Sequence, residues 1–150
     1  MNNEIMVING PNLNLLGMRE PAVYGAMTQE ELFTMIRDGA AGRNTAVECY
    51  QSNHEGDIID KIHSMAGRNY TGLVINPGAF THYSYAIRDA ISGIGVRAVE
   101  VHLSDVDNRE PFRKISVVRD VCIDCVKGLG AAGYLRAMDL LLAGRLPTPV

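Results

Sequence analysis

The fold of this chain is constrained most by a regular alternation between short apolar runs and longer amphipathic segments. The first run, Ile5–Ile8, is apolar throughout, as expected of a central parallel strand that helices cover on both faces. A capping box of Thr28 and Glu31 begins the next segment, where apolar residues recur at helical spacing until Gly42. Strand and helix patterns alternate five times with short links, so the strands are expected to be parallel with right-handed crossovers.

The complete set of patterns predicts one three-layer domain. Strands are expected at Ile5–Ile8, Ala46–Gln51, Gly72–Asn76, Val96–Leu103 and Val121–Lys127. Helices are expected after Thr28, after a second capping pair at Ser52 and Glu55, from Tyr83 to Ile91, and from Ala131 to Ala143. We predict an α/β fold, a flavodoxin-like three-layer sandwich with a five-stranded parallel sheet. Residues 1–150 are expected to form a single catalytic domain in which residues 146–150 are a flexible tail.

Composition and charge restrict the class of partner and the compartment. The net charge is −3 and there is no Lys/Arg cluster, which argues against nucleic acid or an anionic membrane as a partner. No apolar run approaches the ~18 residues that a membrane span needs. Met1–Glu4 lack the basic flank of a signal peptide, and the odd count of three cysteines favours a reducing compartment. We therefore expect a cytoplasmic protein.

The loop Asn9–Gly25 is the first candidate for a functional element, because long ordered loops are usually functional. It leaves the carboxyl end of the first strand, where open α/β sheets bind ligands. The ends of the third and fourth strands add Asn76–His82 and Glu100–Ser104 to the same edge. These amides and imidazoles, with an arginine and a tyrosine, suit a polyhydroxylated anionic small molecule better than a metal or a phosphate chain.

Each candidate also has a purely structural explanation, and the residues alone leave both open. His102 shares a strand face with Glu100, and a strand histidine often only satisfies a hydrogen bond. His82 can cap a helix. The other candidates can be solvent-facing or turn-forming residues: Arg19, Tyr24, Asn12 and Asn14.

Two other motifs are set aside. Cys122 and Cys125 form a C-x-x-C pattern, but residues i and i+3 of a strand face opposite sides, so we expect two core cysteines. Gly128–Gly133 matches G-x-G-x-x-G, but too little chain follows it to supply a ribose-binding acid on another strand. No pair of histidines has the helical spacing of zinc ligands, and we predict no metal site.

Two protein classes with this architecture are also disfavoured. A receiver-type signalling domain needs acidic residues after its first strand and an aspartate after its third, where this chain has Asn9 and Asn76. A flavin-binding electron carrier favours a hydroxyl- and glycine-rich phosphate loop after the first strand, whereas this loop has Pro11 and few hydroxyls.

At these residues the chain resembles the type II 3-dehydroquinate dehydratases, or type II dehydroquinases. The resemblance rests on four blocks: Asn9–Gly25, Gln51–Gly56, Asn76–Asp89, and Val99–Arg113 with Gly128–Tyr134. It implies a flavodoxin-like fold and a reversible anti elimination of water from 3-dehydroquinate to 3-dehydroshikimate through an enolate. It also implies no metal or organic cofactor, and a homo-oligomer that is a dodecamer built from trimers. The implied reaction belongs to the shikimate pathway of aromatic amino acid biosynthesis or, alternatively, to quinate catabolism.

The resemblance implies roles for individual residues. Tyr24 is the base that takes a proton beside the ketone, Arg19 favours its phenolate, and His102 is the acid that protonates the departing hydroxyl. Asn12 helps to hold the enolate oxygen through water, and Asp89 reaches a neighbouring subunit's site. The remaining implied residues bind the substrate carboxylate and hydroxyls: Asn76, His82, Leu103, Ser104 and Arg113.

Elementary chemistry agrees with these roles. A free tyrosine has a pKa of about 10, and a close guanidinium in a loop that expels water favours the phenolate. The family often has Asn-x-His where this chain has Asp105–Asp107, and Pro111 lies within the usual Arg-Glu-x-Phe-Arg stretch; both bear on the geometry around Arg113 and on subunit contacts. The alternative is a catalytically inactive binding module of the same fold, which intact Arg19, Tyr24 and His102 disfavour.

Overall fold

The structure, a computed structural model, describes residues 3–18, 22, 26–105 and 108–144. Its strands are β1 (Asn3–Asn9), β2 (Thr45–Gln51), β3 (Gly72–Asn76), β4 (Ala98–His102) and β5 (Asp124–Lys127). Its α-helices are α1 (Gln29–Gly42), α2 (Glu55–His63), α3 (Tyr85–Ile94) and α4 (Ala132–Ala143). Short 3-10 helices occupy Leu13–Leu15, Gly78–His82, Pro111–Lys114 and Arg119–Val121.

The strands form one parallel sheet in the order β2-β1-β3-β4-β5. The register places Asn9, the last residue of β1, beside Gln51 of β2 and Asn76 of β3. After β1 the chain continues into β2, on one side of the sheet, and after β3 it continues into β4, on the other side. Ligands of open α/β sheets bind at the carboxyl edge where the strand order reverses in this way. The predicted flavodoxin-like α/β fold with five parallel strands is confirmed.

Two hydrophobic cores cover the two faces of the sheet. Ile5 and Val7 of β1 point to the core that contains α1 and α4, because alternate strand residues face opposite sides. Met6 and Ile8 point to the core that contains α2 and α3. All four side chains have no exposed surface, so β1 is central as its uniformly apolar sequence predicts. The cores hold the carboxyl ends of β1, β3 and β4 at one edge.

The two predicted capping boxes have different outcomes. Thr28 accepts a hydrogen bond from the backbone N–H of Glu31 at 3.1 Å, so the start of α1 is confirmed. The predicted box of Ser52 and Glu55 is wrong, because α2 begins at Glu55 without a side-chain cap. The Ser52 hydroxyl instead accepts from the His54 N–H at 2.9 Å and donates to Asp57 Oδ2 at 3.0 Å. Ser52 therefore stabilises the turn before the helix.

The later elements begin at later residues than predicted. Helix α3 begins at Tyr85 and not at Tyr83, because the preceding residues form a 3-10 helix and Ser84 caps the N–H of Ile87. Strand β5 begins at Asp124, so Cys122 lies before it and the prediction that the two cysteines share a strand is wrong. Both thiols are free. Residues 146–150, the predicted tail, lie outside the described residues.

Among the described residues, no helix has both the length and the apolar content needed to cross a bilayer.

Candidate active site

A cavity of about 210 Å³ opens at the carboxyl edge of the sheet, between the segments that follow β1, β3 and β4. Its lining residues are Pro11, Asn12, Leu13, Asn76, Gly78, Ala79, His82, His102, Leu103, Ser104, Arg109 and Arg113. The segments after β1 and β3 meet closely there, since a Cβ on Gly10 would lie 2.4 Å from the carbonyl oxygen of Pro77. Glycine at this position therefore permits the two loops to form a common wall.

The cavity contains most of the side chains that the sequence nominated. The nominated residues that line it are Asn12, Asn76, His82, His102, Leu103, Ser104 and Arg113. Asp89 is exposed on α3 and is not part of this lining. Arg19 and Tyr24 lie outside the described residues. The roles assigned to all of these residues remain predictions.

The two ends of the segment that carries Arg19 and Tyr24 are described and lie together. Gly17 has a φ of 86°, and a Cβ at this position would lie 3.1 Å from the carbonyl oxygen of Ala26 and 3.1 Å from the Thr28 side chain. A side chain at Gly17 would be strained in this left-handed conformation and would also crowd the returning chain. The segment between Gly17 and Ala26 therefore begins and ends at one place on the fold.

Asn12 is held in an uncommon backbone conformation by residues at and just after the end of β2. Its φ is 69°, in the left-handed region, and its N–H donates to Asn53 Oδ1 at 3.0 Å. The same oxygen accepts from Gln51 Nε2 at 3.0 Å, and Gln51 also donates to the carbonyl of Gly10 at 3.2 Å. Gln51 and Asn53 thus fix the backbone that carries Asn12. Sequence reasoning assigned no role to either residue.

His102 lies against a carboxylate in the interior of the protein. Its Nε2 is 3.3 Å from Glu100 Oε2, with 5% of His102 and 0% of Glu100 exposed. The two side chains share one face of β4, as the sequence predicts. Nε2 is buried and makes no hydrogen bond of ordinary geometry within the described part of the chain, so the contact is a close approach of charge. Glu100 therefore places a negative charge beside the His102 ring in the cavity wall.

Glu100 is stabilised as an anion by the groups around it. The hydroxyls of Thr81 and Ser116 donate to Oε1 at 2.5 Å and 2.6 Å, and Arg119 Nε lies 3.4 Å from Oε2. Burial alone would raise the pKa of this carboxyl, but His102 and the Ser116 and Thr81 hydroxyls together lower it to about 2. Glu100 is therefore charged at neutral pH. It shares its strand face with His102 in the sequence, but nothing local in the sequence indicates its buried hydroxyl and arginine partners.

Two thiols lie near the same carboxylate. The Cys125 thiol donates to Glu100 Oε2 at 3.2 Å, and the Cys122 thiol donates to the carbonyl of Val118 at 3.5 Å. Burial, followed by the Glu100 charge, raises the pKa of each thiol to about 12. Both are protonated at neutral pH and are poor nucleophiles.

His82 is the second imidazole of the cavity, and its tautomer follows from its partner. Nδ1 lies 2.7 Å from the carbonyl oxygen of Ile115, which can only accept, so Nδ1 carries the hydrogen. Burial, and then the positive charges of His102 and Arg113, lower the pKa of His82. The neutral ring leaves Nε2 as an acceptor, which suits a hydroxyl group of a ligand.

Arg113 supplies a positive charge to the cavity wall. It lies in the 3-10 helix Pro111–Lys114, forms an ion pair with Glu110, and its guanidinium carbon is 4.7 Å from the centroid of the Phe112 ring. Pro111 occupies the start of this helix, where proline fits because no N–H is needed there. Arg113 lines the cavity together with Arg109, so the site is suited to an anionic ligand.

Comparisons with known proteins agree with this geometry. The sequence model of the family described as "Dehydroquinase class II" matches residues 3–142. The chain is 56% identical over 140 residues to a 3-dehydroquinate dehydratase of Halalkalibacterium halodurans, covering 93% of this chain and 96% of that protein. It is 52% identical over 136 residues to a 3-dehydroquinate dehydratase of Thermotoga neapolitana, covering 91% and 92% of the two chains.

A solved structure gives the same result for the fold. The type II dehydroquinase of Butyrivibrio crossotus superposes with a TM-score of 0.92 at 51% sequence identity, covering 94% of this chain and 98% of that one. The resemblance identified from the sequence is thereby confirmed along almost the whole chain. The protein belongs to the class II dehydroquinase family.

Proposed function

We propose that this protein is a 3-dehydroquinate dehydratase, a hydro-lyase that removes water from 3-dehydroquinate to give 3-dehydroshikimate by a reversible anti elimination. The observation that carries the proposal is the placement of His102 in the cavity wall against the buried Glu100 carboxylate, in a chain of this family. The substrate is a polyhydroxylated carboxylate. The amides, imidazoles and arginines of the cavity match its hydroxyls and its charge.

The first step is the transfer of a proton from the carbon beside the ketone to Tyr24. The electron pair of the broken C–H bond moves to the ketone oxygen, which gives an enolate. A phenolate is the required form of the base, and a neighbouring Arg19 guanidinium would lower the tyrosine pKa from its free value of about 10. The proposal is supported by the meeting of Gly17 and Ala26, which starts and ends this loop at one place.

The second step is the loss of the hydroxyl group with a proton from His102. The enolate electrons re-form the ketone, the new C=C bond forms, and the C–O bond breaks as the His102 N–H proton passes to the leaving oxygen. Anti elimination requires the base and the acid to lie on opposite faces of the substrate ring. The Glu100 carboxylate places a negative charge 3.3 Å from the imidazole during this transfer.

The enolate charge and the substrate's polar groups need fixed partners. We assign Asn12 to the enolate oxygen through a water molecule, since its backbone is held by Asn53 before the substrate arrives. Neutral His82 accepts from a substrate hydroxyl, and Arg113 pairs with the carboxylate. Asn76, Leu103 and Ser104 complete the proposed binding site.

We further propose that the enzyme needs no metal or organic cofactor and acts in the cytoplasm as a homo-oligomer, a dodecamer built from trimers. Asp89 is exposed on α3, which is compatible with a contact to the loop arginine of a neighbouring subunit. The three free cysteines are compatible with a reducing compartment. The reaction would serve the shikimate pathway, with quinate catabolism by the same reaction as the alternative.

The test is to add 3-dehydroquinate to the purified protein and to follow the ultraviolet absorbance of the enone in 3-dehydroshikimate. We expect absorbance to rise in proportion to enzyme concentration, in the presence of a chelator as well as in its absence. A Glu48→Gln variant, which alters a surface carboxylate paired with Lys61, is the matched control and should behave as the wild type. If the protein binds 3-dehydroquinate without an absorbance change, it is a binding module and the proposal is wrong.

A further inference from the structure

The glycine-rich segment Gly128–Gly133 contacts the backbone of Leu103 and Ser104, two residues that line the cavity. The N–H groups of Gly128 and Gly130 donate to the carbonyls of Ser104 and Leu103 at 3.1 Å and 3.0 Å. The segment therefore fixes the backbone that follows β4. Tyr134 directly follows this segment, on the first turn of α4, and its side chain has no exposed surface.

The Tyr134 hydroxyl joins two side chains from the ends of β1 and β3. It donates to Asn9 Oδ1 at 2.7 Å and accepts from Asn76 Nδ2 at 3.1 Å. Asn9 is fully buried, and Asn76 is 3% exposed and lines the cavity. These three side chains, Asn9, Tyr134 and Asn76, are called the relay below.

A backbone group determines the direction of the hydrogen bonds in the relay. The N–H of Gly78 donates to Asn76 Oδ1 at 3.2 Å, and a backbone N–H cannot accept. Asn76 must therefore direct Nδ2 towards Tyr134, whose oxygen accepts and whose single hydrogen goes to Asn9. A flip of the Asn76 amide would place NH2 against the Gly78 N–H and would break two bonds at once.

We propose that Tyr134 is a positioning residue that fixes the amide of Asn76, so that Asn76 presents one N–H and one oxygen lone pair to a substrate oxygen in the cavity. This inference rests on the proposed function, since it assigns the cavity to the substrate. An amide has two N–H groups and two lone pairs, and the relay and Gly78 use one of each. Asn76 then needs no reorientation when the substrate binds.

The protonation state of Tyr134 is consistent with this role. Burial raises the pKa of its hydroxyl above the ordinary range, although the bonds to Asn76 and Asn9 act in the opposite direction. The hydroxyl is neutral at all working pH values. Tyr134 therefore keeps one donor and one acceptor function, as the relay requires.

The first experiment compares the steady-state kinetics of Tyr134→Phe with the wild type. Removal of the hydroxyl frees the Asn76 amide, so we expect KM to rise about tenfold, the effect of one hydrogen bond, with kcat within about threefold. The matched control is Tyr70→Phe, because the Tyr70 hydroxyl is buried at the other end of the sheet without a partner among the described residues. An unchanged KM in folded Tyr134→Phe overturns the proposal.

The second experiment separates positioning from a general loss of packing. Asn76→Ala should raise KM, and the double variant Asn76→Ala/Tyr134→Phe should have the same KM as Asn76→Ala alone, because Tyr134 acts through Asn76. If the two effects multiply, Tyr134 does not act through Asn76 and the inference is wrong.

A third measurement needs neither a variant nor turnover. In the NMR spectrum of the wild type, one of the two Asn76 side-chain NH2 protons should be protected from solvent exchange and should show a nuclear Overhauser effect to Tyr134. Fast solvent exchange of both NH2 protons, without that effect, overturns the inference. If the wild type does not convert 3-dehydroquinate, the proposed function fails, and this measurement still decides whether Tyr134 fixes Asn76.

Discussion

Glu100 Oε2 lies 3.3 Å from Nε2 of His102, and the carboxylate has no exposed surface. A buried charge is costly unless it is paired and hydrogen-bonded, and here two hydroxyls and an arginine complete the environment. The core of the protein thus maintains an anion beside the imidazole that we assign as the acid.

Replacement of Glu100 by glutamine should reduce turnover without changing the volume of the buried side chain. Glu100→Gln keeps the shape of the side chain but removes the negative charge beside the His102 ring. We expect kcat to fall about 10- to 100-fold, within the range that general acid catalysis contributes. Circular dichroism checks folding, and Glu48→Gln serves as the surface control. A kcat equal to that of the wild type would remove Glu100 from the mechanism.

The same carboxylate should make stability depend on pH in the acid range. The pKa of Glu100 is lowered from 4.5 to about 2 in the folded protein, so its contribution is fully present above pH 4.5 and is lost as pH falls towards 2. The contribution amounts to about 3 kcal/mol at full ionisation. Urea unfolding between pH 6 and pH 3 should show the larger part of this loss in the wild type and a smaller loss in Glu100→Gln. Equal slopes for the two proteins would contradict the assignment.

Loss of Asn53 should affect catalysis although Asn53 does not line the cavity. Asn53 Oδ1 accepts the N–H of Asn12, whose φ of 69° is unfavourable for a residue with a side chain. In Asn53→Ala the Asn12 amide is no longer fixed near the enolate, so kcat and kcat/KM should fall together by about tenfold. Asn69→Ala, a change at an exposed asparagine shortly before β3, is the control and should retain full activity.

Arg19 should set the pH at which the base becomes active. In Arg19→Ala the phenolate of Tyr24 loses its proposed positive neighbour, so kcat should fall and the rise of activity with pH should move to higher pH. The pH profile of kcat/KM measures this shift. A profile that falls in height but keeps its position would show that Arg19 does not stabilise the phenolate.

The sequence predicts the elements of this fold because local patterns determine them. Residues that are close together in the sequence determine both the apolar strand at Ile5–Ile8 and the helix start at Thr28. The structure contains both of them as expected. The Ser52 box has the same pattern but a different outcome, since the Ser52 hydroxyl bonds to the turn before α2. A capping motif does not indicate at which residue the helix begins.

The candidate site is predictable only in part for a related reason. The edge of the sheet where Asn76 and His102 meet follows from the order of the strands. The partners that orient them come from distant segments: Ser116 and Arg119 for Glu100, and Tyr134 for Asn76. No periodicity connects residues 58 positions apart, so such contacts require the structure.

The most direct test of the proposed mechanism is the kcat of Tyr24→Phe on 3-dehydroquinate, measured beside the binding of a substrate analogue to the same variant. We expect kcat to fall by about a thousandfold or more, because the ring remains but the base is lost, while the protein stays folded and binds the analogue. His102→Ala should show a comparable loss through the acid. A Tyr24→Phe variant with near-normal kcat would contradict the assignment of Tyr24 as the base.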